Sequence, residues 1–217
     1  MKRVIILVSA LMLSAIAVAQ NDRSEMWEFG LIINDISSES LSSDTGSGIA
    51  FDSDTGFGLS VAYNLNNRFA IGADFIWSDP RYTAVLIPEG ILPVPEVINH
   101  KANMFTYTFT GTWNILEGPL TPYLEGNIGW TNIDSNIADQ PPITGCWWDP
   151  WWGYVCDTFY STYSKTQSSY GGAAGLRWDS GNGWTLKASY GILEIDTNRA
   201  TAKANMEVIR VDLAWLF

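Results

Sequence analysis

The sequence predicts an all-β fold, an eight-stranded antiparallel up-and-down β-barrel that crosses a membrane. Three observations carry that expectation. The last residues place Ile209, Val211, Leu213, Trp215 and Phe217 at every second position, with Val208, Arg210, Asp212, Ala214 and Leu216 between them. A period of two describes a strand with two unlike faces. Seven earlier segments repeat the alternation. The links joining them are short and long by turns, as in barrels with tight turns on one side of a bilayer and loops on the other.

At the start of the chain, Lys2 and Arg3 precede an apolar run from Val4 to Val18. Ala17-Val18-Ala19 then offers a small-x-small cleavage pattern before Gln20. Residues 1–19 therefore read as a secretory signal peptide, too short and wrongly flanked for a membrane anchor. No Cys follows the cleavage site, so a lipid anchor is not expected. Residues 20–217 are of a length for one domain. The formal charge is −11, which argues against nucleic acid as a partner, because phosphate binding needs a density of Lys and Arg. No later apolar run reaches the length of a transmembrane helix. Barrel strands escape such a search because their signal alternates. A mean hydropathy of +0.02 with 11 Trp and 19 Gly suits them.

The first segment sets Trp27, Phe29, Leu31 and Ile33 against Glu28, Gly30 and Asn34. The second sets Phe57, Leu59, Val61, Tyr63 and Leu65 against Gly58, Ser60, Ala62 and Asn64. The third sets Phe69, Ile71, Ala73, Phe75 and Trp77 against Arg68, Ala70, Gly72 and Asp74. In the fourth, Phe105, Tyr107, Phe109, Trp113 and Ile115 oppose a row of threonines from Thr106 to Thr112. In the fifth, Leu124, Ile128 and Trp130 oppose Tyr123, Glu125, Asn127 and Gly129. In the sixth, Tyr170, Ala174, Leu176 and Trp178 oppose Gly171, Ala173, Gly175 and Arg177. In the seventh, Trp184, Leu186, Ala188, Tyr190 and Ile192 oppose Thr185, Lys187, Ser189 and Gly191. Residues 64–67, 117–119 and 179–183 carry the Asn, Gly, Pro and Ser of tight turns. Long links cover residues 36–54, 79–100, 134–167 and 195–203.

A soluble barrel would alternate too, with its apolar face inward. Volume argues against it, since an eight-strand lumen has no room for so many Phe, Trp, Tyr and Leu. The opposite faces, small and polar, suit a narrow interior. Tyr63, Phe69, Trp113, Trp178, Trp184, Trp215 and Phe217 lie near the short turns, and Trp77, Phe105, Trp130 and Tyr170 near the long loops. Two belts of amphipathic rings mark two membrane interfaces. A secreted β-sandwich is the alternative.

On these features the chain resembles the small outer-membrane β-barrel superfamily that includes outer membrane proteins A, X and W. The resemblance rests on the signal peptide, the eight segments, the turn and loop alternation and Trp215-Leu216-Phe217. It implies the outer membrane of a Gram-negative cell, both termini periplasmic, contact with membrane lipid and lipopolysaccharide, and a monomer. It also implies that Trp215 and Phe217 serve as an assembly signal read by the barrel-assembly machinery. No peptidoglycan-binding domain follows the barrel segments, so the cell-wall tethering of the two-domain members is not expected.

On the inward parity stand the acids Glu28, Asp74, Glu125 and Asp212 and the bases Arg68, Arg177, Lys187 and Arg210. Charges in a narrow lumen must be paired or hydrated. They read as an ion-pair network that plugs the barrel and fixes strand register, or as a polar conduit for small solutes or protons. Arg210 and Asp212, neighbours on one strand face, are expected to pair across the lumen rather than with each other. The third long link holds Cys146-Trp147-Trp148-Asp149-Pro150-Trp151-Trp152-Gly153-Tyr154-Val155-Cys156. These are the only two cysteines, and export implies an oxidising compartment, so one disulfide is expected. Trp147, Trp148, Trp151, Trp152 and Tyr154 either prop up the loop as a cluster or form a contact surface for an extracellular ligand.

Ser43-Asp44-Thr45-Gly46 and Ser53-Asp54-Thr55-Gly56 lack the spacing and closing Glu of a calcium loop and read as solvated loop. Pro80, Pro88, Pro93 and Pro95 stiffen the second link into an extended segment. The single His, His100, has no His-x-Ser pattern around it, and the phosphate-loop, serine-hydrolase and zinc motifs are missing. No enzyme activity, no metal and no cofactor are expected. The function expected is structural or surface interaction through the long outer loops. A narrow channel for small or apolar solutes is the alternative, and lipid A modification a distant third.

Overall fold

The computed structural model describes residues 22–43, 46–86, 96–197 and 203–217. The signal-peptide segment, Asp44 and Thr45 of the first link, and Pro88, Pro93 and Pro95 lie outside them. In chain order the strands are β1 (Trp27–Ile36), β2 (Glu39–Ser42), β3 (Gly48–Phe51), β4 (Asp54–Asn64), β5 (Phe69–Ser78), β6 (Arg81–Leu86) and β7 (Glu96–Lys101). They continue as β8 (Asn103–Asn114), β9 (Leu120–Ala138), β10 (Ile143–Asp149), β11 (Gly153–Phe159), β12 (Thr162–Asp179), β13 (Trp184–Ile195) and β14 (Ala204–Leu216).

Eight of these close a barrel in the order β1-β14-β13-β12-β9-β8-β5-β4. All neighbours are antiparallel, and β14 closes onto β1 with Glu28 opposite Leu216 and Ile36 opposite Val208. Closure satisfies every strand edge, which a backbone surrounded by lipid requires. The predicted outward residues are the exposed ones: Leu31 is 58%, Phe57 65% and Ile128 66% accessible. An apolar belt of that extent is tolerable only with lipid as the solvent.

Ring contacts mark both edges of the belt. Trp184 meets Trp215 at 4.7 Å and Trp27 meets Tyr63 at 5.1 Å on the turn side. Trp77 meets Phe105 at 5.1 Å and Tyr107 meets Trp130 at 5.4 Å on the loop side. From Phe69 to Trp77 the strand climbs about 21 Å at a rise of about 3.4 Å per residue and a tilt of about 40°, close to the apolar thickness of an outer membrane.

The long links depart from the sequence expectation, because most of them are strand. β2, β3, β6 and β7 form a separate four-stranded sheet beyond the loop-side belt. The solvated first link and the stiffened second link are thus corrected: each supplies two short alternating stretches that pair with the other link through Phe51 opposite Tyr82. Within the described residues Pro80 does not break this sheet but leads into it, its carbonyl accepting the Ala102 N–H at 2.9 Å. The third link is corrected too. β9 and β12 run past the belt to the pair Thr162–Ala138, and β10 and β11 form a separate two-stranded hairpin between them in sequence.

The sheet caps the barrel interior. Phe51, Tyr82 and Ala84 pack with the inward-facing Ile36, Met104, Ile195, Ala204 and Met206 in one buried apolar cluster. The Tyr82 hydroxyl donates to the Ser135 carbonyl at 2.9 Å, tying the sheet to β9.

Candidate functional site

Inside the turn-side half of the barrel the inward charges form one chain of alternating sign. Arg177 on β12 lies 2.9 Å from Glu28 on β1 and 2.9 Å from Asp179. Lys187 on β13 lies 2.5 Å from Glu28 and 3.9 Å from Asp212. Arg210 on β14 reaches Asp212 at 2.7 Å, Asp74 across the lumen at 2.5 Å and Glu125 at 3.4 Å. Each of these side chains is at most a tenth exposed. Breaking a buried pair of this kind costs about 3–5 kcal/mol, because it strands the remaining charge.

Two members of this chain were not read from the sequence. Arg23, ahead of β1, is 1% exposed and lies 2.5 Å from Asp179. Its backbone N–H donates to Asn67 Oδ1 at 2.9 Å, its Nε to the Asn67 carbonyl at 2.8 Å and its Nη2 to the Leu116 carbonyl at 3.0 Å. One guanidinium thereby ties all three tight turns together, a use of its forked donors that lysine could not reproduce. Asp179 lies two residues beyond Arg177 on the same parity, and that position could have revealed it.

Two expectations need correction. Arg68 is not in the lumen: it sits at the end of a turn, 52% exposed, and pairs with Glu117 at 2.8 Å. The inward parity fails there because the chain leaves the sheet before Phe69. Arg210 and Asp212 do pair with each other at 2.7 Å, in addition to the bond from Arg210 to Asp74 across the lumen. The arginine stem is long enough to serve both.

Space inside is scarce. Gly175 makes room for Tyr123, since a Cβ there would stand 2.7 Å from the Tyr123 ring. Above Arg210 and Glu125 the lumen opens into a cavity of about 60 Å³, lined further up by Ile36, Ile76, Met104 and Met206. One water needs roughly 10–15 Å³ on this measure, so the cavity has room for a few waters. A wider apolar groove of about 580 Å³ lies between the capping sheet and the barrel rim, along Leu41, Ile49, Phe51, Ile133, Ile195 and Met206.

Cys146 and Cys156 are opposite each other in the β10–β11 ladder and form a disulfide. Asp149 Oδ1 accepts the N–H groups of Trp151 at 2.8 Å and Trp152 at 3.2 Å, which shapes the turn. Trp147 packs on Phe159 at 5.5 Å. The other rings point into solvent: Trp148 is 69%, Trp151 82%, Trp152 79% and Tyr154 73% exposed.

At the outer rim, the Tyr170 hydroxyl donates to Glu194 and accepts from Lys203. Lys203 also pairs with Glu194 at 3.0 Å and Asp196 at 3.1 Å. The bond from Tyr170, and then Lys203, hold the Glu194 carboxyl below its usual range; the Ser168 hydroxyl, and then Lys203, do so for Asp196. His100 lies exposed on β7, its ring 6.4 Å from Tyr82. Trp215 and Phe217 face outward at the turn-side belt, the latter 66% exposed. No group of three or more potential metal ligands occurs among the described residues.

Among solved structures the chain is similar to Neisserial surface protein A, at 14% identity and a TM-score of 0.52, over 87% of this chain and 97% of that one. It is also similar to the outer membrane protein OprG from Pseudomonas aeruginosa, at 11% identity and a TM-score of 0.54, over 92% and 99% of the two chains. At such identities the likeness is one of fold. No curated protein matches the sequence. The family model for the outer membrane protein beta-barrel domain matches residues 5–217. The chain therefore belongs to the outer-membrane β-barrel family and sits in the outer membrane of a Gram-negative cell.

Proposed function

We propose that this is a non-enzymatic surface-interaction barrel, with its lumen plugged at membrane depth and its activity carried by the extracellular strands. One observation supports this most. The chain of ion pairs from Arg23 to Asp74 occupies the periplasmic half of the lumen, while the wall continues past the outer belt and ends in an exposed tryptophan hairpin. Glu28, Asp74, Glu125, Arg177, Lys187, Arg210 and Asp212 serve as plug and register lock. Trp148, Trp151, Trp152 and Tyr154 serve as the contact surface, and the Cys146–Cys156 bridge holds it in shape. Trp215 and Phe217 are read by the barrel-assembly machinery, lipopolysaccharide surrounds the outer rim, and the barrel works as a monomer. His100 takes no catalytic part, and His100→Ala leaves every activity unchanged.

The test uses proteoliposomes carrying either the wild type or the variant W148A/W151A/W152A. Both are passed over immobilised lipid bilayers, neutral glycans and matrix proteins. Capture by one surface that depends on the hairpin supports the reading. Equal capture of both proteins on every surface overturns it.

A second reading has its own observation. The apolar groove under the capping sheet reaches Met206, which also lines the lumen cavity. That continuity suits uptake of a small apolar solute from the outer side. Faster uptake of a hydrocarbon probe by cells making the protein, lost on Met206→Arg, would favour it.

A further inference from the structure

We infer that the β10–β11 hairpin docks in trans onto a phospholipid surface that presents choline headgroups. The inference rests on the surface-interaction reading and names its partner.

The position of the hairpin comes first. β9 runs from the outer belt at Trp130 to Ala138, about 26 Å along the strand and about 20 Å in height at the usual barrel tilt. The hairpin strands, Ile143–Asp149 and Gly153–Phe159, follow beyond that point. The tryptophans are thus carried on a sheet separate from the barrel wall and joined to the part of β9 that extends past the belt.

Rigidity follows. Seven register pairs, the disulfide between opposed cysteines and the two N–H bonds to Asp149 fix the hairpin. Trp147 is spent on packing against Phe159. Among the described residues, Trp148, Trp151, Trp152 and Tyr154 have no ring partner and stand at least two-thirds exposed. A preformed display of rings loses little conformational freedom on binding.

The choice of partner comes from charge. Between residues 143 and 159 the hairpin has Asp149 and Asp157 and no Lys or Arg. Indole and phenol rings partition into the bilayer interface. Their faces attract quaternary ammonium groups, and the hairpin's net negative charge adds to that attraction. The same carboxylates repel anionic headgroups and the phosphates of lipopolysaccharide. A choline-bearing, zwitterionic surface satisfies both the rings and the acids; an anionic bilayer satisfies only the rings.

The experiment uses the full chain folded in nanodiscs of phosphatidylethanolamine and phosphatidylglycerol, mixed with vesicles and floated on a density gradient. Phosphatidylcholine vesicles are expected to carry the wild type up. The variant W148A/W151A/W152A, shown to be folded by its heat-dependent gel shift, is expected to bind about tenfold less, as for loss of a hot spot. W151F/W152F keeps part of the binding, since the ring faces remain. Phosphatidylglycerol vesicles bind the wild type several-fold less than phosphatidylcholine. Equal flotation of wild type and triple variant, or flotation by phosphatidylglycerol as strong as by phosphatidylcholine, overturns the inference. Hairpin-dependent capture by an immobilised neutral glycan, with no binding to phosphatidylcholine, overturns the lipid partner and leaves the surface-interaction reading standing. If the triple variant matches the wild type on every surface, both fall.

Discussion

The two halves of this barrel fill their interiors by opposite means. The periplasmic half holds a chain of buried ion pairs from Arg23 to Asp74. The extracellular half holds an apolar cluster, Ile36, Met104, Ile195 and Met206, under the lid formed by Phe51 and Tyr82. Buried charges impose specific pairing between strands far apart in sequence, whereas apolar packing is non-directional. The difference teaches where the molecule is closed and where it can respond. The charged half, proposed as a plug, should lose much when one member is removed. The apolar half has a groove, a separate sheet and a separate hairpin.

Breaking the charged half should give the largest effect. Arg210→Met leaves Asp74, Glu125 and Asp212 facing one another, and should destabilise the barrel by about 3–5 kcal/mol, read as a lower urea midpoint of the vesicle-embedded protein. Arg23→Ala removes the tie between the three turns and leaves Asp179 with Arg177 as its remaining cation. It should cost about 2–4 kcal/mol and lower the boiling temperature at which the gel shift occurs. The apolar half responds more locally. Tyr82→Ala should release the capping sheet at a cost of about 3 kcal/mol. Protease sensitivity should then rise at residues 46–86 while the gel shift stays in place. Reducing Cys146–Cys156 should loosen the hairpin by roughly 2–3 kcal/mol, with the barrel unchanged.

The smallest effect lies at the rim. Glu194 and Asp196 are held below the usual carboxylate range, by the Tyr170 and Ser168 hydroxyls first and Lys203 next. Lys203 is raised, by its bond to the Tyr170 hydroxyl and then by the two acids. Depressed carboxylates stabilise at neutral pH, and that contribution is lost as pH falls through their folded values. A raised lysine keeps its contribution until pH climbs past the ordinary lysine range. The urea midpoints of wild type and Lys203→Ala should therefore differ slightly at pH 7 and converge on acidification below about pH 4.

The eight barrel strands were legible because each carries a period of two over a full membrane crossing. The side facing lipid was legible because ring volume rules out the lumen. Glu28, Asp74, Glu125, Arg177, Lys187, Arg210 and Asp212 share the inward parity, which needs only counting. Arg68 misled because parity has no meaning once the chain leaves the ladder. Arg23 was missed because a lone residue ahead of a strand has no periodicity to place it. The capping sheet was missed for a related reason: stretches of four to six residues such as Gly48–Phe51 and Arg81–Leu86 are too short to distinguish from loop until partners are known. The apolar upper lumen could have been read from Ile36, Met104, Met206 and Val208, which follow the charged positions on the same faces.

The central claim is that the periplasmic half of the lumen is closed by paired charges. Conductance across a planar bilayer tests it most directly. The wild type should show no steady ohmic current, and Arg210→Ala should show small openings where the guanidinium had joined Asp74, Glu125 and Asp212. A steady current through the wild type, unchanged in Arg210→Ala, would contradict the plug and make the charges the lining of a conduit.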